Sequence, residues 1–332
     1  MDNLFILNAM LEINNSKKLL SCLLFVDLKE AYDRVDRRIL LKKLEAMNFP
    51  TVFLQFINSY YNEDYIISIL EGECTRKQYQ SRGLRQGCNL SSFLFILYVV
   101  DLSVLIHDSG YGMKLTPAHI LAILLFADNI VLLANTMREL NELKVLLEEW
   151  CTANRMKVSV KKTQTITEDT TSQLYLREND ALKQILSVSE YTYLGVSQCK
   201  TSILTASARK KAVLQKARMY SHLLVYRQRI GLDTCQVYRA LWEQIAVPAI
   251  LYGCESLVYD EILIQELEKI QRGFAKALLG LNQLTANEVR ELEAGLKPMK
   301  LRVLTRKLQF LHNHKKGRYV CNMTKLAIAQ LS

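Results

Sequence analysis

The sequence predicts an α+β fold in two parts, a mixed strand-and-helix part over residues 1–200 and a mostly helical part over residues 201–332. Two patterns carry this prediction. Apolar runs of strand length alternate with helix-periodic segments in the first part, whereas the period from Leu204 onward is helical nearly to the end. Charge follows the same division: residues 200–332 hold 22 Lys and Arg against 10 Asp and Glu, a net of +12, and residues 1–199 have a net of −2.

Composition is that of an ordinary globular protein. The 332 residues are 50% hydrophobic and 23% charged, which is enough for two domains. The chain has 4 prolines and 12 glycines, and so few of both disfavours long disordered linkers. The 8 cysteines are scattered without a CxxC pair, as expected for reduced thiols and not for a disulfide framework or a zinc site.

No sequence signal predicts secretion or membrane insertion. No secretory leader precedes the cysteines, and the two long apolar stretches, Phe93–Ile106 and Ile120–Ala134, contain Asp101 and Asp128 and are short for a bilayer. We therefore expect an intracellular protein, nuclear or cytoplasmic, with no signal peptide, no transmembrane segment and no membrane partner.

Periodicity and turn residues predict the elements in chain order. A short helix over Leu4–Glu12 precedes an apolar strand over Leu19–Val26, and Asp27 with Glu30 resembles a capping box that opens a helix over Leu28–Met47. Further helices are predicted over Thr51–Tyr61, Ser91–His107 and Met137–Asn154, further strands over Tyr65–Leu70, Lys157–Val160 and Tyr191–Val196, and a hairpin around Asp128.

The basic second part leaves two interpretations open. A near-neutral part followed by a strongly basic helical part is typical of proteins that bind a polyanion, most simply nucleic acid. Solvated helix faces would give the same excess of Lys and Arg. Charge alone does not decide between them.

Two aspartates give the first chemical signal. Asp27 ends one apolar strand, and Asp128 lies at the tip of the hairpin LLFADNIVLLA. If these strands are neighbours in one sheet, their carboxylates converge at one sheet end. Hard divalent cations such as Mg²⁺ prefer carboxylate oxygens, and two such ions activate the nucleophile and steady the leaving phosphate in phosphoryl transfer. Taken singly, Asp27 would be a helix N-cap and Asp128 a turn residue.

Five motifs in a fixed order point to a family. They are FVDLKEAYDRV (Phe25–Val35), GLRQGCNLSSFLF (Gly83–Phe95), LLFADNIVLLA (Leu124–Ala134), MKVSVKKTQTI (Met156–Ile166) and YTYLGV (Tyr191–Val196). This succession resembles the palm of reverse transcriptases from non-LTR (LINE-type) retrotransposons. The basic part, with YRALWEQIAVPAILYGCES and LEKIQRGFAKALLG, resembles that family's thumb and the segment after it.

The resemblance implies a right-hand polymerase palm, a small antiparallel sheet backed by helices, with partial fingers over residues 1–200 and a basic helical thumb and connection segment over residues 201–332. The implied activity is RNA-directed DNA synthesis, in which a primer 3′-hydroxyl attacks the α-phosphate of a deoxynucleoside triphosphate. The implied partners are an RNA template, a DNA primer and deoxynucleoside triphosphates. The implied cofactor is Mg²⁺, with Mn²⁺ as an alternative, and the oligomeric state is left open.

The resemblance also assigns site residues. The catalytic residues are Asp27, Asp128 and Lys162, and the metal ligands are Asp27, Asp128 and Asn129. The nucleotide- and template-binding set is Tyr32, Arg85, Gln86 and Gly87, the primer grip is Tyr193, Leu194 and Gly195, and the nucleic-acid-binding side chains of the thumb are Lys210, Lys211, Lys216 and Arg218. Without the resemblance, Tyr32 would be a core aromatic, Gln86 and Gly87 an ordinary turn, and Lys162 a solvated strand end.

The sequence departs from the family pattern in ways that keep a second hypothesis open. Asn129 stands where the family has a second aspartate. Ser92 replaces a proline, Ile96 and Val100 replace asparagines, Arg155 replaces a glycine and Ser159 replaces an asparagine. Most of the fingers, an endonuclease domain and a Cys/His knuckle are also expected to be absent. The second hypothesis is a catalytically impaired, retrotransposon-derived relic that only binds nucleic acid.

Overall fold

The computed structural model describes residues 2–62, 65–70, 73–116, 118–169, 172–178, 181–199, 202–228, 235–256, 261–282 and 285–315. The chain divides into two units. The first, here the sheet unit, is Lys18–Ser189; the second, here the helical unit, combines Met1–Lys17 with Glu190–Ser332. The predicted boundary at residue 200 separates the palm from the thumb as functional parts, and this boundary stays a prediction. Packing divides the chain elsewhere and joins the N-terminal helix to the C-terminal part.

The sheet unit is built on five strands. Their order across the sheet is Leu186–Ser187, Gln164–Ile166, Cys22–Asp27, Asn129–Ala134 and Ile123–Phe126. Neighbouring strands are antiparallel except at the Leu186–Ser187 edge. Together with the helices below, this small and mainly antiparallel sheet confirms the predicted α+β class.

The other described elements of the sheet unit are five helices and four two-stranded ladders. The helices are Ala31–Arg34, Arg37–Ala46, Thr51–Asn62, Asn89–Asp108 and Met137–Ala153. The two-stranded ladders pair Tyr65–Ile66 with Gln78–Tyr79, Ile69–Leu70 with Glu73–Cys74, Met113–Thr116 with His119–Leu121, and Tyr175–Glu178 with Ala181–Gln184. The helices predicted near residues 51, 91 and 137 are therefore confirmed, with ends that differ by a few residues.

Strand alternation explains how the sheet holds its helices. Leu24 and Val26 of the central strand pair with Leu132 and Ile130 of its neighbour, so all four side chains leave the same face of the sheet. They are at most 2% exposed and belong to one hydrophobic core, to which the long helices after residues 89 and 137 also contribute. Burying each such side chain stabilises the fold by roughly 1.5–3 kcal/mol.

The predicted helix Leu28–Met47 is wrong at its beginning. Leu28 still pairs with Val158 as an isolated bridge, and Glu30 has a left-handed backbone with φ 51°, so the capping box does not form. A four-residue helix, Ala31–Arg34, comes first, and the main helix Arg37–Ala46 begins only after Asp36. The predicted strand Lys157–Val160 is likewise reduced to this single bridge, because pairing with the central strand resumes only at Gln164.

The helix Asn89–Asp108 is the only described helix long and apolar enough, by length and composition alone, to cross a membrane. One face of this helix packs in the core of the sheet unit. Seven of its side chains are buried, and Asp101 accepts hydrogen bonds from Lys43 Nζ at 2.8 Å and Trp150 Nε1 at 3.1 Å. Burial lowers the pKa of the Lys43 ammonium, although Asp101 opposes that shift. Asp101, the charged residue that interrupts this apolar stretch, is therefore bonded to Lys43 and Trp150 inside the sheet unit.

The helical unit contains one β-hairpin, Glu190–Tyr193 with Val196–Cys199, among its described residues. Its helices are Asp2–Ser16, Ser202–Gln228, Cys235–Leu241, Val247–Ile250, Glu261–Leu279, Asn287–Ala294 and Met299–Lys315, with a π-helical turn over Trp242–Ala246 and a 3₁₀ turn over Cys254–Ser256. Its core centres on Trp242, which stacks on Phe274 with ring centroids 4.4 Å apart. The predicted strand Tyr191–Val196 is in fact this hairpin, which turns at Leu194 and Gly195.

Asp36 is the helix cap that the sequence pattern assigned to Asp27, and its removal should destabilise the sheet unit. Its Oδ1 accepts from the N–H groups of Arg38 and Ile39 at 2.9 and 3.2 Å, and its Oδ2 binds Arg155 at 2.7 Å. We expect Asp36→Ala to lower the free energy of unfolding by about 1–2 kcal/mol, the usual value of such a cap. The measurement is urea unfolding in a Trp242→Phe background, where Trp150 alone reports on the sheet unit.

Asp36→Asn is the matched control. It keeps the capping oxygen and loses only the ion pair to the exposed Arg155, so we expect less than half the effect of the alanine variant. Equal unfolding curves for the alanine variant and the parent would contradict the assignment of Asp36 as the cap.

Candidate active site

Asp27 and Asp128 lie at the same end of the five-stranded sheet. Asp27 is the last residue of its strand, and its direct partner across the ladder is Asn129, which follows Asp128. Phe126 pairs with Asn129, so Ala127 and Asp128 form a two-residue hairpin turn. Ala127 has φ 52°, a conformation that costs a residue with a Cβ about 1 kcal/mol. The two strands are therefore neighbours in one sheet, which is the condition under which the two aspartates lie at one sheet end, and a strained turn places Asp128 next to Asn129, the partner of Asp27.

The donor set at this sheet end is two carboxylates and one amide. The Asn129 amide nitrogen lies 3.4 Å from Asp128 Oδ1, and all three residues remain partly exposed. Among the residues that the structure describes, no group of three or more His, Cys, Asp and Glu side chains is arranged to hold a metal ion. With aspartate in place of Asn129, this end of the sheet would carry a third carboxylate.

Lys162 reaches the same sheet end from a loop. Its Nζ lies 3.3 Å from Asp27 Oδ2, and its side chain is 71% exposed. The loop is fixed to the end of the central strand, because the N–H of Ser159 donates to the Asp27 carbonyl at 2.8 Å and the N–H of Lys29 donates to the Lys157 carbonyl. The structure therefore places Lys162 in contact with Asp27 at the sheet end that also carries Asp128, and the catalytic roles of the three residues stay a prediction.

Tyr32 and the loop Gly83–Gly87 lie next to each other. The N–H of Leu84 donates to the Tyr32 carbonyl at 2.9 Å, and the Tyr32 ring stacks on Phe95 at 4.7 Å while remaining partly exposed. Gln86 is exposed, and its Nε2 lies 3.2 Å from Asp33 Oδ1. Tyr32 therefore packs against a core side chain and is also partly exposed at the surface beside the loop.

The loop is held by residues that the sequence did not single out. Arg37 donates to the carbonyls of Gly83, Gln80 and Tyr61 at 2.9, 2.5 and 3.1 Å, and its guanidinium lies over the Tyr61 ring. A Cβ on Gly83, whose φ is +89°, would lie 2.9 Å from the Asp33 carbonyl oxygen, so only glycine fits there without strain. An arginine just after a capping aspartate was the available signal for Arg37, but its three carbonyl partners are distant in sequence.

Arg85 and Gly87 flank Gln86 at the outer end of the loop. Arg85 lies over the Tyr60 ring at 4.3 Å and its Nη2 donates to the Tyr60 carbonyl, while Gly87 has φ +79° and open space around its Cα. Arg85, Gln86 and Gly87 are all exposed. They therefore present polar and backbone groups at the surface of the sheet unit.

The structure shows where several of the residues that depart from the family pattern lie. Arg155 has φ 55°, a conformation that glycine adopts without cost, and its guanidinium binds Asp36. Ile96 and Val100 are 55% and 38% exposed on the helix after the loop, and Ser92 is exposed in the first turn of that helix. Ile96 and Val100 thus place apolar side chains on the surface, and none of these four residues lies in the core.

The assigned primer grip belongs to the helical unit. Leu194 and Gly195, with φ 47° and 75°, form the two-residue turn of the hairpin, which is the conformation of a type I′ turn. Tyr193 is 2% exposed, and burial raises the pKa of its hydroxyl to about 12. Only Leu194 and Gly195 are presented for contact, whereas Tyr193 anchors the hairpin in its own unit.

The assigned basic side chains lie along the helix Ser202–Gln228 of the helical unit. Lys211 and Arg218 are seven residues apart and share one face, whereas Lys216 lies on another face. Lys211, Lys216 and Arg218 are exposed and Lys210 is partly buried. Lys269 holds the pKa of the Glu266 carboxyl below its usual value, with smaller effects from Arg218 and Lys210, so these two cations already lie near an acid.

Comparison with known sequences decides the family. The sequence profile described as reverse transcriptase (RNA-dependent DNA polymerase) matches residues 2–198. The chain belongs to this family. Its match contains Asp27, Asp128 and Lys162, the three side chains that converge at the sheet end.

The chain is similar to two curated proteins. It is 23% identical over 291 residues to the retrovirus-related Pol polyprotein from type-1 retrotransposable element R2 of Popillia japonica, and 23% identical over 246 residues to the transposon TX1 uncharacterized 149 kDa protein of Xenopus laevis. The alignments cover 84% and 69% of this chain but 46% and 19% of the relatives, so the chain spans less than half of their length. The predicted resemblance to non-LTR reverse transcriptases is confirmed.

Two solved structures also align with this chain. Telomerase from Candida albicans with a fragment of telomeric RNA aligns over 86% of this chain and 51% of that chain, at 11% identity and a TM-score of 0.46. Apo telomerase from Candida Tropicalis aligns over 97% and 56%, at 13% identity and a TM-score of 0.44.

Because Arg37 joins three separate carbonyls, its loss should loosen the loop that carries Gln86. We expect Arg37→Ala to increase hydrogen exchange at the amides of Gly83 and Leu84 by about tenfold or more, since roughly 1.4 kcal/mol of local stability corresponds to tenfold exchange and one charge-assisted bond is worth that much. Exchange read by mass spectrometry on the full chain measures this.

Arg38→Ala is the control for Arg37, because it removes an exposed arginine next to it. Arg37→Lys should behave like Arg37→Ala, since an ammonium cannot span three carbonyls. Unchanged exchange at Gly83 and Leu84 in both Arg37 variants would contradict the positioning role.

Proposed function

We propose that this chain is the palm and thumb portion of a retrotransposon reverse transcriptase, and that it performs RNA-directed DNA synthesis weakly. The observation that carries the proposal is the convergence of Asp27, Asp128 and Lys162 at one sheet end within a family match. The substrates would be an RNA template, a DNA primer and deoxynucleoside triphosphates.

The residues at the sheet end suit Mg²⁺. Asp27 and Asp128 offer carboxylate oxygens near the surface, and the Asn129 amide offers a neutral oxygen once its nitrogen turns away from Asp128. These three residues would hold the cofactor, Mg²⁺ or alternatively Mn²⁺, which when bound supplies positive charge that stabilises the reacting phosphate.

The protein's own groups would orient the substrates around this sheet end. Lys162 is exposed and bound to Asp27 by one contact, so its ammonium can move to a triphosphate oxygen and neutralise charge as pyrophosphate leaves. Tyr32 is held against Phe95 beside the loop and would bear on the nucleotide sugar. Arg85 and Gln86, with the open backbone at Gly87, would contact template and nucleotide, and the turn Leu194–Gly195 would contact the primer.

Asn129 is the reason for expecting weak activity. A carboxylate at this position would add a negative charge beside Asp128, whereas the amide adds none. Two dications in close proximity would therefore repel each other with less compensation. Mg²⁺ dehydrates reluctantly and demands near-ideal geometry, so Mg²⁺ should suffer more than Mn²⁺.

The alternative function is a nucleic-acid-binding relic without catalysis. The observation that favours it is Asn129, whose amide brings no charge to the site. Both functions share the basic helix and differ only at the sheet end. An intracellular location, nuclear or cytoplasmic, suits either function, and it is supported by the seven described cysteines, all of which are free thiols.

Asn129→Asp tests the proposed function directly. We expect the variant to extend a primer on a homopolymer RNA template with Mg²⁺ about tenfold faster or more, a modest share of the value of one charged transition-state contact. Its affinity for Mn²⁺, measured by isothermal titration without nucleic acid, should rise in parallel. Adding Asp128→Ala should abolish both gains.

Asn58→Asp is the charge-matched control, because it adds the same negative charge at an exposed helix position. If Asn129→Asp binds Mn²⁺ more tightly and binds RNA but still does not extend a primer, the relic is the correct function. If neither metal affinity nor activity changes, the sheet end is not a metal site.

Salt dependence tests the nucleic-acid surface. Affinity for an RNA–DNA duplex should fall steeply with salt, because each neutralised phosphate releases a counterion. Charge reversal of Lys210, Lys211, Lys216 and Arg218 should weaken binding to all sequences alike and make the log–log slope shallower by about one for each phosphate that is no longer neutralised. Fluorescence anisotropy across a salt series measures both quantities.

Lys211→Glu and Lys216→Glu are the most informative single variants, because reversing Lys210 or Arg218 also places a like charge near Glu266. Lys114→Glu, an exposed position of the sheet unit, is the control. An affinity that does not change with salt, or equal binding by Lys114→Glu and the thumb variants, would overturn the assignment of this surface.

A further inference from the structure

A row of exposed apolar side chains, here the apolar stripe, runs along the helix Asn89–Asp108 opposite its core contacts. Its members are between 38% and 56% exposed: Phe93, Ile96, Val100 and Val104. They are three or four residues apart and therefore lie in one row along the helix. Leu94, Tyr98 and Leu102 on the other face are buried in the core of the sheet unit. This helix thus has a second apolar face that is about half open to solvent.

Two members of the apolar stripe are departures from the family pattern. Ile96 and Val100 stand where the family has asparagines, and they form the middle of the stripe. Asparagines at both positions would leave Phe93 and Val104 as two separate apolar residues, of the kind that any protein surface carries. The two departures therefore create a continuous apolar row that a partner can cover.

The surroundings of the apolar stripe suit an identical copy of the chain. Ser92 and Ser103 lie along one edge of it, and neither is charged. Asp101 lies at the other edge, where Lys43 Nζ binds its carboxylate at 2.8 Å. Two copies that met through this stripe would therefore bring together apolar and neutral groups, with the charge of Asp101 compensated within each copy.

The two ends of the helix carry opposite charge. Asp108, whose side chain is 71% exposed, lies at the C-terminal end, where the helix dipole is also negative. The first turn contains no acid, and near it the Arg85 guanidinium lies over the Tyr60 ring, whose hydroxyl is 3.8 Å from Cys88 Sγ. An antiparallel pair of these helices would place each Asp108 beside the positive end of its partner, whereas a parallel pair would bring the two acids together.

The spacing of the apolar stripe is also symmetric. Phe93 and Val104 have nearly the same midpoint as Ile96 and Val100, at about Tyr98. A twofold axis at this point would set the aromatic ring of Phe93 level with the smaller Val104 of the other copy, and Ile96 level with Val100. The same alignment brings Asp108 level with Asn89, the first residue of the partner's helix. One patch is thus complementary to itself, as a twofold interface requires.

We propose that the apolar stripe is a docking surface for a second copy of this chain, formed by antiparallel pairing of the two helices Asn89–Asp108. Four half-exposed side chains offer roughly 300–400 Å² of apolar surface per copy, about half of what each partner buries in a standard interface. The polar groups along both edges of the stripe supply further area. The expected product is a dimer in reversible equilibrium with the monomer.

The first test measures association of the full chain by sedimentation over a series of concentrations. We expect the average mass to rise toward that of two chains. The double variant Ile96→Asn, Val100→Asn should weaken dimerisation about tenfold or more, because it replaces the two central contacts of the interface. Both side chains are exposed, so the fold should be retained, which circular dichroism checks.

Val52→Asn is the matched control, because Val52 is 77% exposed on another helix of the sheet unit, Thr51–Asn62. It should dimerise like the parent. A parent chain that stays monomeric, or equal association of the parent and the double asparagine variant, would overturn the proposal. If such a monomeric parent, but not the double variant, bound phosphatidylcholine vesicles, the stripe would instead be a lipid-binding face.

Disulfide trapping determines the direction of pairing. Chains with Phe93→Cys are mixed with chains with Val104→Cys and oxidised mildly, and peptide mass spectrometry identifies the joined positions. An antiparallel pair should give bonds between position 93 of one chain and position 104 of the other. Bonds between two identical positions, or no mixed product in a sample that sediments as a dimer, would contradict the antiparallel arrangement.

Asp108→Lys tests the charges at the helix ends. It places a positive charge beside the positive end of the partner's helix, so we expect dimerisation to weaken severalfold. Glu142→Lys is the control, because it makes the same charge change at an exposed position of the helix Met137–Ala153. Equal dimerisation of the two lysine variants would contradict the complementarity of the ends.

Discussion

The antiparallel pairing of Cys22–Asp27 with Asn129–Ala134 is the constraint on which the candidate site depends. Its register is fixed because Leu24 and Val26 on one strand and their neighbours on the other must enter the same core. A slip by one residue would turn these side chains to the other face of the sheet. The same register places Asp27 opposite Asn129 and so beside Asp128. The register that buries the core residues therefore also brings the two acids to the same end of the sheet.

The rest of the site is attached to this pair of strands through backbone groups. The carbonyl of Asp27 accepts from Ser159, which fixes the loop that carries Lys162. On the other side, the short helix after Glu30 carries Tyr32 to the loop Gly83–Gly87, and Arg37, the first residue of the next helix, binds the same loop. The loops that carry the functional side chains are therefore held in position by hydrogen bonds to helices and strands. Substitutions at partly exposed site positions such as Asn129 therefore need not disturb the fold.

Packing and family organisation divide this chain differently. The hairpin that resembles the primer grip precedes the basic helix in sequence, yet its strands and the helix Asp2–Ser16 belong to the same unit as that helix. Arg209 shows why, because it is 6% exposed and donates to the Ser197 carbonyl and to Asn8 Oδ1. A buried guanidinium needs such partners, and here they come from the hairpin and from the N-terminal helix.

The sequence by itself determined the α+β class, the long helices and the hairpin at Asp128, because periodicity reports which residues along one segment are buried. It also identified the two acids and the motif order that gives the family. Only the tertiary structure decided where the helix after Asp27 begins, since Leu28 and Lys29 bond to Val158 and Lys157 far along the chain. The same holds for the cap at Asp36, the three carbonyl partners of Arg37 and the contact of Lys162 with Asp27. Each depends on residues that are distant in sequence, and local periodicity carries no information about which distant residue becomes the partner.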